Sequence, residues 1–257
     1  MNLFLKYLKF LTKSSNQHGV HSPFIYNLIT KGFYTKTNKK LLYSFIKIKQ
    51  QLLDNKTTIK VTDFGSGSKI FKSNNRKVAK IVKVAGISNT KAKLLIRIVN
   101  YFKPKNILEI GTSVGLSTSA IKIGYNKSNI TTLEGCKETN NIAKSLFENN
   151  NFKNIKTITG NFNETIASSI KSNSYDFIYF DGNHTKKATL EYFKTCLPTI
   201  SNDTFWIFDD IYWSKEMQEA WLEIKKHPKV TVTVDVFHFG IVFFRKEQAK
   251  EHFMIRV

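Results

Sequence analysis

Cysteine is nearly absent: two of the 257 residues, Cys136 and Cys196, carry a thiol. They form neither a disulfide framework nor a metal-binding spacing, so the chain reads as a protein of a reducing, cytoplasmic compartment. Long apolar runs are absent too, and none approaches the ~18 residues of a membrane span. The opening MNLFLKYLKFLTK is apolar, but Lys6 and Lys9 interrupt it and no small-residue cleavage site follows. That argues against a secretory signal. Internal repeats and low-complexity linkers are also missing. Acidic residues are scarce, 19 against 40 Lys and Arg, for a net charge of +21. What is plentiful is core material: 41% hydrophobic and 13% aromatic residues, the composition of a folded domain.

The excess charge is uneven. Residues 1–60 hold 11 lysines against one acid, and residues 61–103 hold ten Lys and Arg against one. The remainder is close to balanced, with 19 against 17. A basic region of this kind attracts phosphates or anionic surfaces. A chain rich in Lys, Asn and Ile together also admits a purely compositional explanation. Both readings stay open.

The chain divides near residue 103. Residues 1–103 form a basic, mostly helical N-terminal extension without a parallel-sheet rhythm. Leu3, Phe4, Tyr7, Leu8 and Leu11 share one face of its first helix, with Lys6, Lys9 and Lys13 on another. The apolar face packs on the domain or lies on a membrane surface. NQHGVHSPF places His18 and His21 three apart, a metal pair or a plain turn. DFGSGS (Asp63–Ser68) lacks the Lys–Ser/Thr continuation of a phosphate loop and reads as a flexible turn or an active-site flap.

Residues 104–257 alternate short apolar runs with amphipathic segments. The runs are 106–110, 130–134, 155–158, 176–180 and 204–208; helices fit 116–125, 137–149, 163–171, 186–197 and 214–226. Such alternation predicts a doubly wound, Rossmann-like α/β domain with a parallel sheet. Two further runs, 230–237 and 240–244, are too close for a helix between them and predict a terminal antiparallel hairpin. The expectation is therefore a mostly parallel seven-stranded sheet.

The sharpest motif is Asn106-Ile-Leu-Glu-Ile-Gly-Thr-Ser-Val-Gly115. A buried strand enters a glycine turn at Gly111, and a helix N-terminus follows, where anionic groups are favoured. Ligands bind at this edge of open α/β sheets. Ser113 replaces the middle glycine of a dinucleotide fingerprint. Glu134 follows about 20 residues on, where a ribose is gripped.

EIGTSVG followed by LEG resembles the nucleotide half of class I S-adenosylmethionine methyltransferases. The resemblance covers residues 104–247. It implies S-adenosylmethionine as cofactor, with Glu109, Gly111, Thr112 and Ser113 at its amino-acid end. It implies Glu134 and Gly135 at the ribose, and Asn161 and Phe162, after Gly160, at the adenine.

Two strand ends add carboxylates: Asp181 in DFIYFDGNH, and Asp209 and Asp210 in TFWIFDDIYW. Neighbouring like charges repel unless a cation such as Mg²⁺ lies among them. This spacing is similar to the metal-dependent O-methyltransferases, including the catechol O-methyltransferase-like group. That resemblance makes Asp181, Asp209 and Asp210 metal candidates and His184 the base, with Asp181 also beside the cofactor and catalytic. Two positions depart, since the catechol type has lysine at the place of His184 and asparagine at that of Asp210. Metal dependence and the base therefore stay open. The plainer alternatives are helix capping by Asp209 and Asp210 and a loop hydrogen bond by His184. Trp206, Tyr212 and Trp213 either wall an acceptor pocket or belong to the core, and Trp206 reads as core. HGVHSPF, FDGNH, FDDIYWS and FGIVFFRKEQ together resemble a bacterial branch of class I methyltransferases, which names no acceptor.

Three functions follow in order. The first is an O-methyltransferase of a small hydroxylated acceptor, with or without a divalent metal. The second is an RNA (tRNA) methyltransferase that grips phosphates with the basic region. The third is a non-catalytic nucleotide-binding protein. A homodimer is compatible with each.

Overall fold

Strong helix signals and good caps organise the first hundred residues. The structure, a computed structural model, describes residues 3–62 and 73–257; the Asp63–Ser68 segment lies outside them. Helix α1 (Leu3–Lys13) comes first, then α2 (Pro23–Asn27) running into a π-helical turn at Leu28–Phe33, then α3 (Lys39–Leu53). Ser22 caps α2, whose first turn holds Pro23, and Asn38 caps α3. NQHGVHSPF is thus a capping turn, in which the Asn16 side chain accepts the His18 N–H at 3.0 Å. Strands β1 (Thr58–Lys60) and β2 (Asn75–Lys77) pair antiparallel as a small separate sheet. Helices α4 (Val78–Ala85) and α5 (Asn89–Phe102) follow.

From residue 106 the expected alternation holds. The elements are β3 (Asn106–Ile110), α6 (Leu116–Gly124), β4 (Asn129–Glu134), α7 (Lys137–Asn149), β5 (Ile155–Thr159), α8 (Phe162–Ser172) and β6 (Phe177–Phe180). Then come α9 (Lys186–Cys196), β7 (Phe205–Asp209), α10 (Lys215–Lys226), β8 (Val232–Asp235), β9 (Phe239–Phe243) and β10 (Glu251–Met254). The main sheet has eight strands in the order β10-β8-β9-β7-β6-β3-β4-β5, and only β9 runs antiparallel to its neighbours.

Eight strands replace the expected seven. The addition, β10, is an edge strand, exposed and polar at Glu251 and His252 and half-buried at Phe253 and Met254, without an apolar run long enough to announce it. It is held by backbone bonds, Glu251 N–H to Thr231 O at 2.9 Å and Ile255 N–H to Asp235 O at 2.8 Å. Ser15 in turn bridges to Ile255, tying the first loop to this edge.

Strand side chains alternate between faces. Ile107, Phe177, Phe205 and Val232 share a buried core with Ile25, Phe45, Val82 and Leu95 of the N-terminal helices. The other parity, Leu108, Ile178, Trp206 and Val242, packs with residues of α8, α9 and α10. The helices of the first hundred residues therefore cover one face of the sheet. Leu94, Leu95, Ile98 and Val99 of α5 are at most 1% exposed, and each such side chain contributes roughly 1.5–3 kcal/mol when taken from water.

Helix α1 packs on the face opposite to its leucine stripe. Lys6 and Phe10 are buried, while Leu3, Phe4, Leu5 and Leu8 are exposed. Ring contacts set this rotation: Tyr7 and Phe10 lie 4.8 and 5.5 Å from Phe237. Among the described residues, no helix is long and apolar enough to cross a membrane.

Candidate active site

The loops after β3, β4, β5, β6 and β7 meet at the C-terminal edge of the sheet, where open α/β folds bind ligands. The backbone is distorted there. Ser113, Asn183, Asp210 and Phe237 all have φ between 49° and 66° without being glycine. Such conformations persist where the surroundings over-determine them, and they cluster at functional sites.

Gly111 begins the first loop at φ +103°, and a Cβ there would lie 2.5 Å from the carbonyl oxygen of Asp181. Only glycine allows this turn and this approach. The N–H groups of Gly111 and Thr112 both donate to Leu133 O, and Thr112 Oγ1 meets Thr132 Oγ1 at 2.6 Å. The loop is locked onto β4. Glu109 lies inside this framework rather than at its rim. It is fully buried, and its Oε2 accepts from Thr118 Oγ1 at 2.5 Å and Thr132 Oγ1 at 2.6 Å. Its Oε1 has no protein partner. Burial pushes the Glu109 carboxyl up to about 7, with the two threonine hydrogen bonds opposing.

Glu134 ends β4. Its Oε2 accepts the Ser113 N–H at 2.6 Å and its Oε1 accepts the Cys136 N–H at 2.9 Å. One carboxylate thus links the first and second loops. Burial raises its pKa while these N–H bonds pull it down. Beside it opens a cavity of about 250 Å³ lined by Gly135, Gly160, Asn161, Phe162, Asn183 and Tyr192. Asn161 caps α8, which puts Phe162 at the start of that helix, edge-on to Tyr192 at 6.0 Å.

The orphaned Glu109 Oε1, the glycine cradle and the cavity by Gly135 fit an elongated ligand with a cationic end and a flat ring. S-adenosylmethionine has that shape; of the residues expected to hold it, Gly135, Asn161 and Phe162 line the cavity, whereas Glu109 and Thr112 are buried.

The register that pairs Phe180 with Phe208 brings Asp181 beside Asp209. Both point to the face covered by the N-terminal helices, by the same parity as Tyr179 and Ile207. Asp181 Oδ2 accepts from Ser117 Oγ at 3.3 Å, and His184 Nε2 stands 3.6 Å from Asp181 Oδ1. Asp210, with its side chain 37% exposed, borders the open site. Neither Asp209 nor Asp210 caps the next helix; Ser214 does, accepting from Met217 N–H at 3.0 Å.

The cation among these carboxylates is a lysine. Lys91 Nζ lies 2.5 Å from Asp209 Oδ1 and 3.0 Å from Asp210 Oδ1. Burial opposes the lysine's charge, but Asp209, Asp210 and Asp181 outweigh it and raise its pKa. Burial and the charge of Asp209 push Asp181 well above the carboxylate range. Burial pushes Asp209 the same way, but Lys91 overrides it and holds Asp209 low. The pair therefore favours one proton, on Asp181. The expected arrangement of three carboxylates around a divalent ion does not fit these side chains, because the ammonium occupies the coordinating side of Asp209 and Asp210. Among the described residues, no three His, Cys, Asp or Glu side chains form a metal-ligand group.

Residues 108–211 match the family model described as a methyltransferase domain. That segment, 104 of the 257 residues, is similar to a methyltransferase domain. No curated protein sequence matches it. Solved methyltransferases share its fold. The SAH-bound methyltransferase PaMTH1 of Podospora anserina is 17% identical, with TM-score 0.61 over 83% of this chain and 91% of that one. The O-methyltransferase of Bacillus cereus in complex with SAH is 19% identical, with TM-score 0.55 over 85% and 96%. TomG of Streptomyces achromogenes, an O-methyltransferase of tomaymycin synthesis in complex with SAM, is 13% identical, with TM-score 0.57 over 85% and 95%.

Several residues of this candidate site were invisible in the motifs. Thr118 and Thr132 reach Glu109 through helix and strand geometry. His238, in the turn between β8 and β9, faces Lys91, Asp209 and Asp210, and burial followed by the Lys91 charge lowers its pKa. Lys91 itself comes from a helix outside every motif. Trp206 is fully buried and belongs to the core, whereas Trp213 is 52% exposed.

Proposed function

We propose that the protein is an S-adenosylmethionine-dependent methyltransferase that methylates an oxygen of a small hydroxylated acceptor. The observation that carries this reading is the cradle at Gly111, pressed on the Asp181 backbone, together with the buried, unpaired Oε1 of Glu109 two residues before it. The cofactor, when bound, supplies a methyl group activated by a positively charged sulfur.

The protein's own groups do the rest. Glu109 offers its free oxygen to the ammonium end. Glu134 grips the ribose while its N–H bonds keep it oriented. Gly135, Asn161 and Phe162 shape the adenine cavity. Ser113 and Thr112 hold the first loop shut against β4. With the cofactor and acceptor in place, His184 would take the acceptor's O–H proton as its oxygen accepts the methyl group and the sulfur becomes neutral. Alignment of these atoms supplies most of the acceleration, and the base adds typically 10²–10⁴-fold.

A metal-assisted variant, with Mg²⁺ on Asp181, Asp209 and Asp210, requires Lys91 to leave both aspartates, so no step here depends on it. The structural relatives named as O-methyltransferases support oxygen as the acceptor atom. An RNA acceptor finds support only in the basic charge of the first 103 residues.

Calorimetry with S-adenosylmethionine and SAH tests the cofactor. Transfer of a labelled methyl group to a panel of phenols and catechols, beside total RNA, tests the acceptor. Uptake of the cofactor with labelling of a phenol is expected. No uptake of either compound overturns the reading, and salt-sensitive labelling of RNA alone replaces the acceptor class.

A further inference from the structure

Three carboxylates meet at the ends of β6 and β7, and such a group needs a positive partner. The protein supplies one from a distant part of its own chain. Ser88 caps α5 and accepts the Lys91 N–H at 3.2 Å, which fixes Lys91 in the first turn of that helix. The buried side chains of α5 hold the helix rigidly on the sheet. Lys91 Nζ then reaches both Asp209 and Asp210, with the ring of Phe239 5.6 Å away. The lysine side chain is 13% exposed, so it is enclosed without being sealed from the site.

We propose that Lys91 is the resident cation of the acceptor site, neutralising Asp209 and Asp210 and presenting a positively charged N–H donor to the acceptor oxygen. This rests on the methyltransferase reading and deepens it: the acceptor is a hydroxyl compound bound by an ammonium rather than chelated by a divalent ion. Two of the three N–H bonds of Lys91 are engaged by the aspartates, and the third is available to the acceptor. Lys91 keeps its proton throughout; the acceptor's proton goes to histidine. A fixed positive donor stabilises the oxygen as negative charge grows on it. An ammonium makes fewer geometric demands than a chelate, so acceptors with a single hydroxyl qualify as well as those with two adjacent ones.

The test compares wild type, Lys91→Met and Lys91→Arg, each saturated with SAH. Mn²⁺ serves as the probe, and its uptake is read by electron paramagnetic resonance. Wild type and Lys91→Arg are expected to take up no Mn²⁺, because a side-chain cation fills the position. Lys91→Met is expected to bind one ion per chain, and Lys91→Met,Asp209→Asn to lose it. With a phenolic acceptor, wild-type turnover is expected to be indifferent to a chelator. Lys91→Met without metal should fall by about 100-fold, the scale of one pre-organised donor. SAH affinity, measured on the same samples, should change less than about threefold, which shows the variant folded.

Wild-type uptake of Mn²⁺ that Asp209→Asn abolishes overturns the proposal, as does chelator-sensitive wild-type turnover. Lys91→Met that takes up no Mn²⁺ overturns it too. Failure of wild type to bind SAH refutes the cofactor reading instead, and Mn²⁺ uptake without SAH still decides the role of Lys91.

Discussion

Lys6 donates from its Nζ to the backbone carbonyl of Tyr212 at 2.7 Å. A helix at the start of the chain thereby fastens the loop that follows β7, next to Asp209 and Asp210. Aromatic rings reinforce the contact: Tyr212 stacks on Phe237 at 4.9 Å, and Phe237 meets Tyr7 and Phe10 of α1. Lys6→Met should leave SAH affinity unchanged, because no cofactor-holding residue touches α1. It should raise KM for the acceptor by about tenfold, the cost of one charge-assisted hydrogen bond. Steady-state kinetics beside calorimetry separate the two effects.

Gly111→Ala introduces a Cβ that meets the Asp181 backbone at 2.5 Å, in a left-handed conformation. Neither neighbour can yield, since Asp181 N–H is bonded to Ile110 O at 2.9 Å. Thermal unfolding should show a loss of at least ~2 kcal/mol, and SAH binding should vanish in calorimetry.

Glu109 makes stability depend on pH, and its proposed place at the cofactor adds a second readout. Its carboxyl is raised by burial from the ordinary carboxylate value to about 7. Folding therefore takes up a proton between those values, and stability declines as pH rises through that window. Above about pH 7 the buried charge opposes folding. Glu109→Gln should make the cofactor-free protein more stable at pH 8 by on the order of 2 kcal/mol, with the gain disappearing near pH 4. The same change should weaken SAH binding by roughly tenfold or more, as a charged partner becomes neutral. Denaturant melts at both pH values, with calorimetry at pH 8, check both halves.

Two histidines border the carboxylates, and the proposed mechanism gives them different roles. His184 stands 3.6 Å from Asp181, next to the cradle, whereas His238 faces the Lys91 side. His184→Asn should lower kcat by about 10²-fold or more, as expected for loss of a general base. His238→Asn should change kcat by less than about tenfold, since His238 shapes the pocket without taking the proton. Equal losses in kcat would exchange their roles.

Strands and helices beyond residue 104 were legible because each is an uninterrupted apolar run or a clean amphipathic segment, and observed boundaries fall close to the expected ones. The places of Gly111, Glu134 and Asp181 at the strand ends were legible because each directly follows or closes an apolar run. The short β10 was not, since it is held mainly by backbone bonds and its two apolar residues, Phe253 and Met254, are too few to mark a strand. The rotation of α1 was misread because apolar count favours the leucine stripe, while ring packing on Phe237 and the Lys6 hydrogen bond favour the other side. Lys91 was beyond reach. It sits among many other lysines of a basic region, and only the parity of β6 and β7 with the placement of α5 distinguishes it.

The bridge from Ser15 to Ile255 has a temporal meaning. Ser15 N–H bonds to Met254 O at 2.8 Å, and Arg256 N–H bonds to Ser15 O at 3.1 Å. During synthesis the segment after α1 must wait for some 240 further residues before this seat exists. A ribosome-bound chain therefore cannot make these bonds until β10 has been synthesised, so the first loop stays unfastened at this edge through most of translation.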